Sequence, residues 1–116
     1  MAILNIIEVQ SKNPHLYFNL ELRENTYFNF KLKYTKLNAN KLRTIVKGLN
    51  KSKIVLWKQK INKNLWYIFY YYQGSFYYQN GYEVTIIPIT NDDLESIHNF
   101  IDNFEFINKN TKCILY

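Results

Sequence analysis

From Leu16 to Tyr34 apolar and polar residues alternate with a period of two. Leu16, Phe18, Leu20 and Leu22 fall on one side, and Tyr17, Asn19 and Glu21 on the other. Phe28, Phe30, Leu32 and Tyr34 then alternate with Asn29, Lys31 and Lys33. This period belongs to antiparallel strands with one dry and one wet face. The short polar link Arg23–Asn25 makes 16–22 and 26–34 a hairpin, and Ala2–Val9 reads as a strand before it. The period then lengthens. Leu42, Ile45, Val46 and Leu49 follow i, i+3, i+4, i+7, one apolar stripe of a helix. Asn38 or Asn40 is expected to cap its start and Gly48 its end. Arg43, Lys47 and Lys51 lie beside or opposite the stripe.

The second half returns to strand-like segments at Ile54–Lys60, Leu65–Tyr72, Ser75–Gln79 and Tyr82–Ile89. Asn62-Lys63-Asn64, Gln73-Gly74 and Asn80-Gly81 separate them, and Asn-Gly between β-rich segments is a strong hairpin signal. Pro88 cannot donate to a ladder, so that segment belongs at an edge or leaves the sheet. Thr90 with Asp93 three residues on has the form of a capping box, opening a helix whose stripe is Leu94, Ile97, Ile101 and Phe104. Lys112–Tyr116 is open to a last short strand. The expectation is a single α+β domain over residues 1–116, in the order β-β-β-α-β-β-β-β-α. It is mainly antiparallel sheet, with two helices packed on one face.

Composition supports a packed core: 47% of the 116 residues are apolar and 18% aromatic, far from a disordered chain. One cysteine, Cys113, excludes an internal disulfide and a multi-cysteine metal site. Residues 1–10 have no basic segment ahead of their apolar run, and no run approaches the ~18 residues of a membrane span. A cytosolic location is the expectation, in the host cytoplasm if the chain is viral. Asn, Lys, Ile, Tyr and Phe are abundant while Gly, Pro, Ala and Arg are scarce. That usage fits an A/T-rich genome, such as that of a low-G+C bacterium, its phages or many archaeal viruses, and a viral or phage origin is the expectation. Ile-Asn-Lys-Asn, present at 61–64 and 107–110, follows from the same bias and reads as turns, not as a repeat.

The charge is divided into blocks. Residues 31–63 hold eleven basic side chains and no acid, whereas 64–108 hold six acids and no Lys or Arg. Lys31 and Lys33 share the wet side of one strand, Lys58 and Lys60 share one side of another, and Arg43, Lys47 and Lys51 belong to the first helix region. A nucleic-acid footprint needs several cations within reach of one backbone. The plain alternative is a solvated surface in a lysine-rich chain. Lysines dominate, so phosphate contact with weak sequence preference is expected.

Seven of the eleven tyrosines lie between Tyr67 and Tyr82. Consecutive tyrosines on a strand point to opposite faces, so some rings face away from the core. Tyr70, Tyr72 and Tyr78 are the expected contact residues for a protein partner or second copy. Base stacking is a further use, and cross-strand pairing on a wet face the plain alternative. Asp92 and Asp93 are most simply capping residues.

No metal-protease, nucleophile-elbow, paired-cysteine or glycine-rich phosphate motif occurs. No catalytic residue, metal or cofactor is assigned. His98 reads as a boundary residue and Cys113 as a small apolar one. The residual enzyme reading is a small metal-free ribonuclease with His15, Arg43 and Tyr27 as nominal groups. The leading expectation is a non-enzymatic binding protein that docks a basic face on nucleic acid or a ribonucleoprotein. One version inhibits a host defence nuclease. The alternatives are a general nucleic-acid-binding accessory protein, the ribonuclease, or a homodimeric structural protein joined through its tyrosines.

Overall fold

In a computed structural model the structure describes residues 2–48 and 51–114, with side chains to residue 103. The order is β1 (Ile3–Val9), β2 (His15–Arg23), β3 (Thr26–Lys33), α1 (Lys36–Lys47), β4 (Ile54–Lys60), β5 (Trp66–Tyr72), β6 (Ser75–Asn80), β7 (Glu83–Pro88) and α2 (Asn91–Ile114). The α+β class and the succession of elements are those the periodicity predicts. The strands divide between two antiparallel sheets, β1-β2-β3 and β4-β5-β6-β7. Helix α1 occupies the connection between them. It packs on β4 and on α2, and α2 packs on β1.

Local chemistry explains the boundaries. Thr35 caps α1, its hydroxyl accepting from the Asn38 N–H at 3.0 Å. The helix therefore starts before the asparagines expected to cap it. Asn38 instead turns its side-chain amide back to the Lys33 carbonyl at 2.8 Å. Gly48 ends α1 at φ 107°, in the region that favours glycine. Its carbonyl accepts from the Tyr71 hydroxyl at 2.6 Å, tying the helix end to the second sheet. The expected box at α2 is present in both halves. Asp93 N–H donates to Thr90 Oγ1 and Thr90 N–H to Asp93 Oδ2, each at 3.1 Å.

Two expectations need correction. Lys112–Ile114 are helical, not a strand: Asn91–Ile114 contains no glycine or proline to stop α2. Asn80 belongs to β6 and pairs with Glu83, so the loop is Gly81-Tyr82. In the apolar stripe of α1, Leu42 and Ile45 are buried together with Ala39. Leu49 lies outside the described residues, as do the side chains of Phe104 and Cys113 and residues 115–116.

The sheets meet through their inward faces. Phe18 stacks on Phe30 at 4.7 Å between centroids and meets Phe69 at 5.7 Å and Phe76 at 6.2 Å, both edge-on. Phe30 lies 5.0 Å from Phe69, and Phe28 stacks on Tyr78 at 4.4 Å. Ile6, Leu16, Leu20, Leu42, Ile45, Ile97 and Phe100 extend this core to the helices. Tyr34 against Phe100 (5.6 Å) and Asn103 donating to Glu8 (3.0 Å) complete that side.

Phe18→Ala and Phe69→Ala should each cost ~3–5 kcal/mol of unfolding free energy in denaturant titrations. The double variant should lose less than the sum, because the rings touch. Burial pushes the Tyr78 phenol above its ordinary 10.0, with nearby Tyr67 acting in the same direction. The folded state holds that proton more tightly. Its contribution is therefore complete below 10.0 and lost as the pH rises through the raised folded value. Thermal unfolding followed from neutral to about pH 11 should show that decline, and Tyr78→Phe should flatten it.

Candidate functional site

Strand β4 contains the feature that builds the site. Ile54, Leu56, Lys58 and Lys60 all stand at even positions, so strict alternation would aim two lysines at the same side as two core residues. A bulge prevents this. Val55 pairs with Tyr70 but Trp57 with Phe69, leaving Leu56 as the extra residue. Ile54 and Leu56 are buried and Trp57 packs on the core, while Lys58 and Lys60 turn outward. Lys41 donates to the Val55 carbonyl beside the bulge at 2.8 Å. One cation of the basic block is thus spent on holding α1 to β4.

Pairing defines the outward face of this sheet. Lys58 lies opposite Ile68 and Lys60 opposite Trp66, Tyr70 opposite Tyr77, Tyr72 opposite Ser75, Ile86 opposite Tyr77 and Val84 opposite Gln79. The Lys58 and Lys60 ammoniums sit 5.5 and 5.8 Å from the Trp66 ring centroid. Lys53, just before β4, sits 4.7 Å from the Tyr70 centroid. Tyr70 is stacked nearly parallel on Tyr77 at 5.1 Å. Burial pushes the Tyr70 phenol upward, with Tyr77 acting in the same direction. Tyr72 and Tyr77 are half-buried, while Val84 and Ile86 are 50% and 60% exposed on the edge strand. No outward position of β4–β7 carries a carboxylate. The face is therefore cationic along one side, aromatic in the middle and apolar at the far edge.

The other expected residues are distributed differently. Lys31 and Lys33 are exposed on the outward face of the first sheet, opposite Tyr17 and His15. The aromatic core separates them from Lys58 and Lys60, so the basic block does not form one face. Lys51 is exposed in the loop between α1 and β4. Arg43 and Lys47 line a groove of about 260 Å³ between the helices, with Val46, Ile101, His98 and Asp102. Within it His98 Nε2 is 3.4 Å from Asp102 Oδ2, and Arg43 donates to Asn40 Oδ1 at 2.8 Å.

Tyr70 and Tyr72 share the outward face, but Tyr70 is 6% exposed, covered beside Tyr77 and Lys53, so of the expected contact tyrosines only Tyr72 is partly open; Tyr78 is not on this face at all. Tyr78 pairs with Phe69 and is 5% exposed in the core, unavailable to a partner. Its parity follows from the two-residue Gln73-Gly74 turn, where both residues have positive φ. Counting back from Tyr72 opposite Ser75 sets Tyr77, not Tyr78, beside Tyr70.

His15, Tyr27 and Arg43 do not converge. His15 pairs at Lys33 and Tyr27 at Glu21, six positions apart along β3 or roughly 20 Å, and Arg43 is on α1. Among the described residues no group of three or more His, Cys, Asp or Glu is placed to hold a metal, and no helix is long and apolar enough to cross a membrane. Trp66 and Lys53 are the contributors that the charge and tyrosine patterns did not single out. Trp66 shares the parity of Tyr70 and Tyr72, which is the signal that finds it. Comparison with protein-family models, curated proteins and solved structures gives no match for this chain.

The outward lysines stabilise the fold little. Lys58→Gln and Lys60→Gln should each change unfolding free energy by no more than ~1 kcal/mol, the scale of an exposed cation–π contact. Denaturant titration checks this and qualifies both variants for binding experiments.

Proposed function

We propose that this chain is a nucleic-acid-binding protein whose contact surface is the outward face of the second sheet. The observation that carries the reading is Trp66 under the ammoniums of Lys58 and Lys60, on a face without carboxylates. Cations draw in a phosphate backbone by releasing its condensed counterions, and the acid-free surroundings leave their charge uncompensated. The neighbouring rings give bases or sugars a surface to contact. Three lysines and no arginine serve this face, which favours phosphate contact over bidentate reading of base edges. Weak sequence preference follows. The role read here is binding. A ribonucleoprotein with exposed RNA, a host defence nuclease included, would be met through the same surface. Lys31 and Lys33 are not part of it.

Fluorescence anisotropy of labelled RNA and DNA across a salt series tests this. The wild-type protein should lose affinity steeply with salt. Lys53→Gln, Lys58→Gln and Lys60→Gln together should flatten the slope of log affinity against log salt by about two units. Lys31→Gln with Lys33→Gln should leave it unchanged. Absence of binding at low salt, or a slope that responds to the second pair and not to the first set, overturns the proposal.

A further inference from the structure

Resting on that reading, we infer that the ligand is a single strand. Its backbone follows β4, and its bases lie across β5 and β6. The cations of the face are confined to one side, Lys53, Lys58 and Lys60. A duplex carries phosphates on two backbones, and its second backbone would rest on Val84 and Ile86, which offer it nothing. A single strand has one backbone and one row of exposed bases, matching a cationic edge beside an aromatic and apolar field.

Shape argues the same way. Four strands at ~4.8 Å spacing span roughly 14 Å before side chains are added. The major groove of B-form DNA is about 12 Å wide and admits a helix or a two-stranded ribbon. This sheet cannot enter the groove face-on, and in a duplex the flat faces of the bases are hidden in the stack. The rings on the sheet would have no partner.

Two stacking positions are set along β5. At one, Trp66 lies beside Lys58 and Lys60. At the other, Tyr77 lies on Tyr70 with Lys53 near by. Tyr70 is 6% exposed beside the half-buried Tyr77, so the base would rest on Tyr77. Trp66 and Tyr70 are four residues apart, about 13 Å along the strand, which leaves room for nucleotides between the two positions. At Trp66 the ring adjoins two cations, so a base stacked there would bring its phosphate to the lysine side, while at the second position Lys53 adjoins Tyr70, the member of the pair nearer β4.

The test compares a ~12-nucleotide oligo-uridine or oligo-thymidine strand with a duplex of equal length at one salt concentration. The single strand should bind at least ~10-fold more tightly. Trp66→Leu keeps an apolar side chain and removes the ring. It should weaken single-strand binding by ~10-fold or more, leave duplex binding unchanged and leave the salt slope intact. Trp66→Phe should recover most of the loss. In a Trp57→Phe background, the fluorescence of Trp66 should change on adding single strand and not on adding duplex. Equal binding of both forms, with Trp66→Leu neutral, overturns the stacking inference and leaves the electrostatic reading standing. No binding of either form overturns both.

Discussion

Phe18 stacks on Phe30 within the first sheet and meets Phe69 and Phe76 of the second edge-on. The two sheets share no strand ladder, so these rings and their neighbours fix how the halves of the molecule sit together. Aromatic pairs add about 0.5–1.5 kcal/mol each to the gain from burial, and they favour offset or edge-on geometries. Such contacts orient as well as attract. With the inward faces occupied in this way, the outward faces lie on opposite sides of the core. Which cations can act together is decided here. Lys58 and Lys60 belong with Trp66 and the tyrosines, and Lys31 and Lys33 belong elsewhere.

The bulge at Leu56 is the second constraint. It lets one short strand supply three core side chains in its first half and two outward lysines in its second. Without the extra residue, the lysines would share a side with Ile54 and Leu56, and buried unpaired ammoniums are costly. The same irregularity lies beside the carbonyl that Lys41 holds, so the helix and the irregular part of the strand are fastened at one point.

Much of this was legible in the chain. Alternation marked β2 and β3 and the side of each that is wet. Gln73-Gly74 marked a tight turn, and Thr90 with Asp93 marked the start of α2, where both reciprocal bonds form. The parity of β5 was also readable, with Trp66, Ile68, Tyr70 and Tyr72 on one side. What escaped depends on pairing between segments. The bulge appears only when β4 is laid against β5. Tyr78 faces the core because of its register with Phe69. The charge block looked continuous along the chain, but α1 and the aromatic layer separate its two pairs of lysines in space. The start of α1 escaped for a local reason, because the Thr35 hydroxyl was the better-placed acceptor and Asn38 had another use.

Among the described residues every ladder joins strands that are neighbours in sequence, β1 to β2 to β3 and then β4 through β7. No strand has to wait for a distant partner before its backbone is satisfied. Loop-closure entropy is therefore small for each hairpin and large only for the meeting of the two halves across α1. Chain order thus implies a sequence of events in which turns close first and each meander forms by itself. The phenylalanine contacts between the sheets are the long-range ones. The outward lysines take no part in the contact between the two sheets, so substitutions there leave that step of the chain's return to its native state untouched.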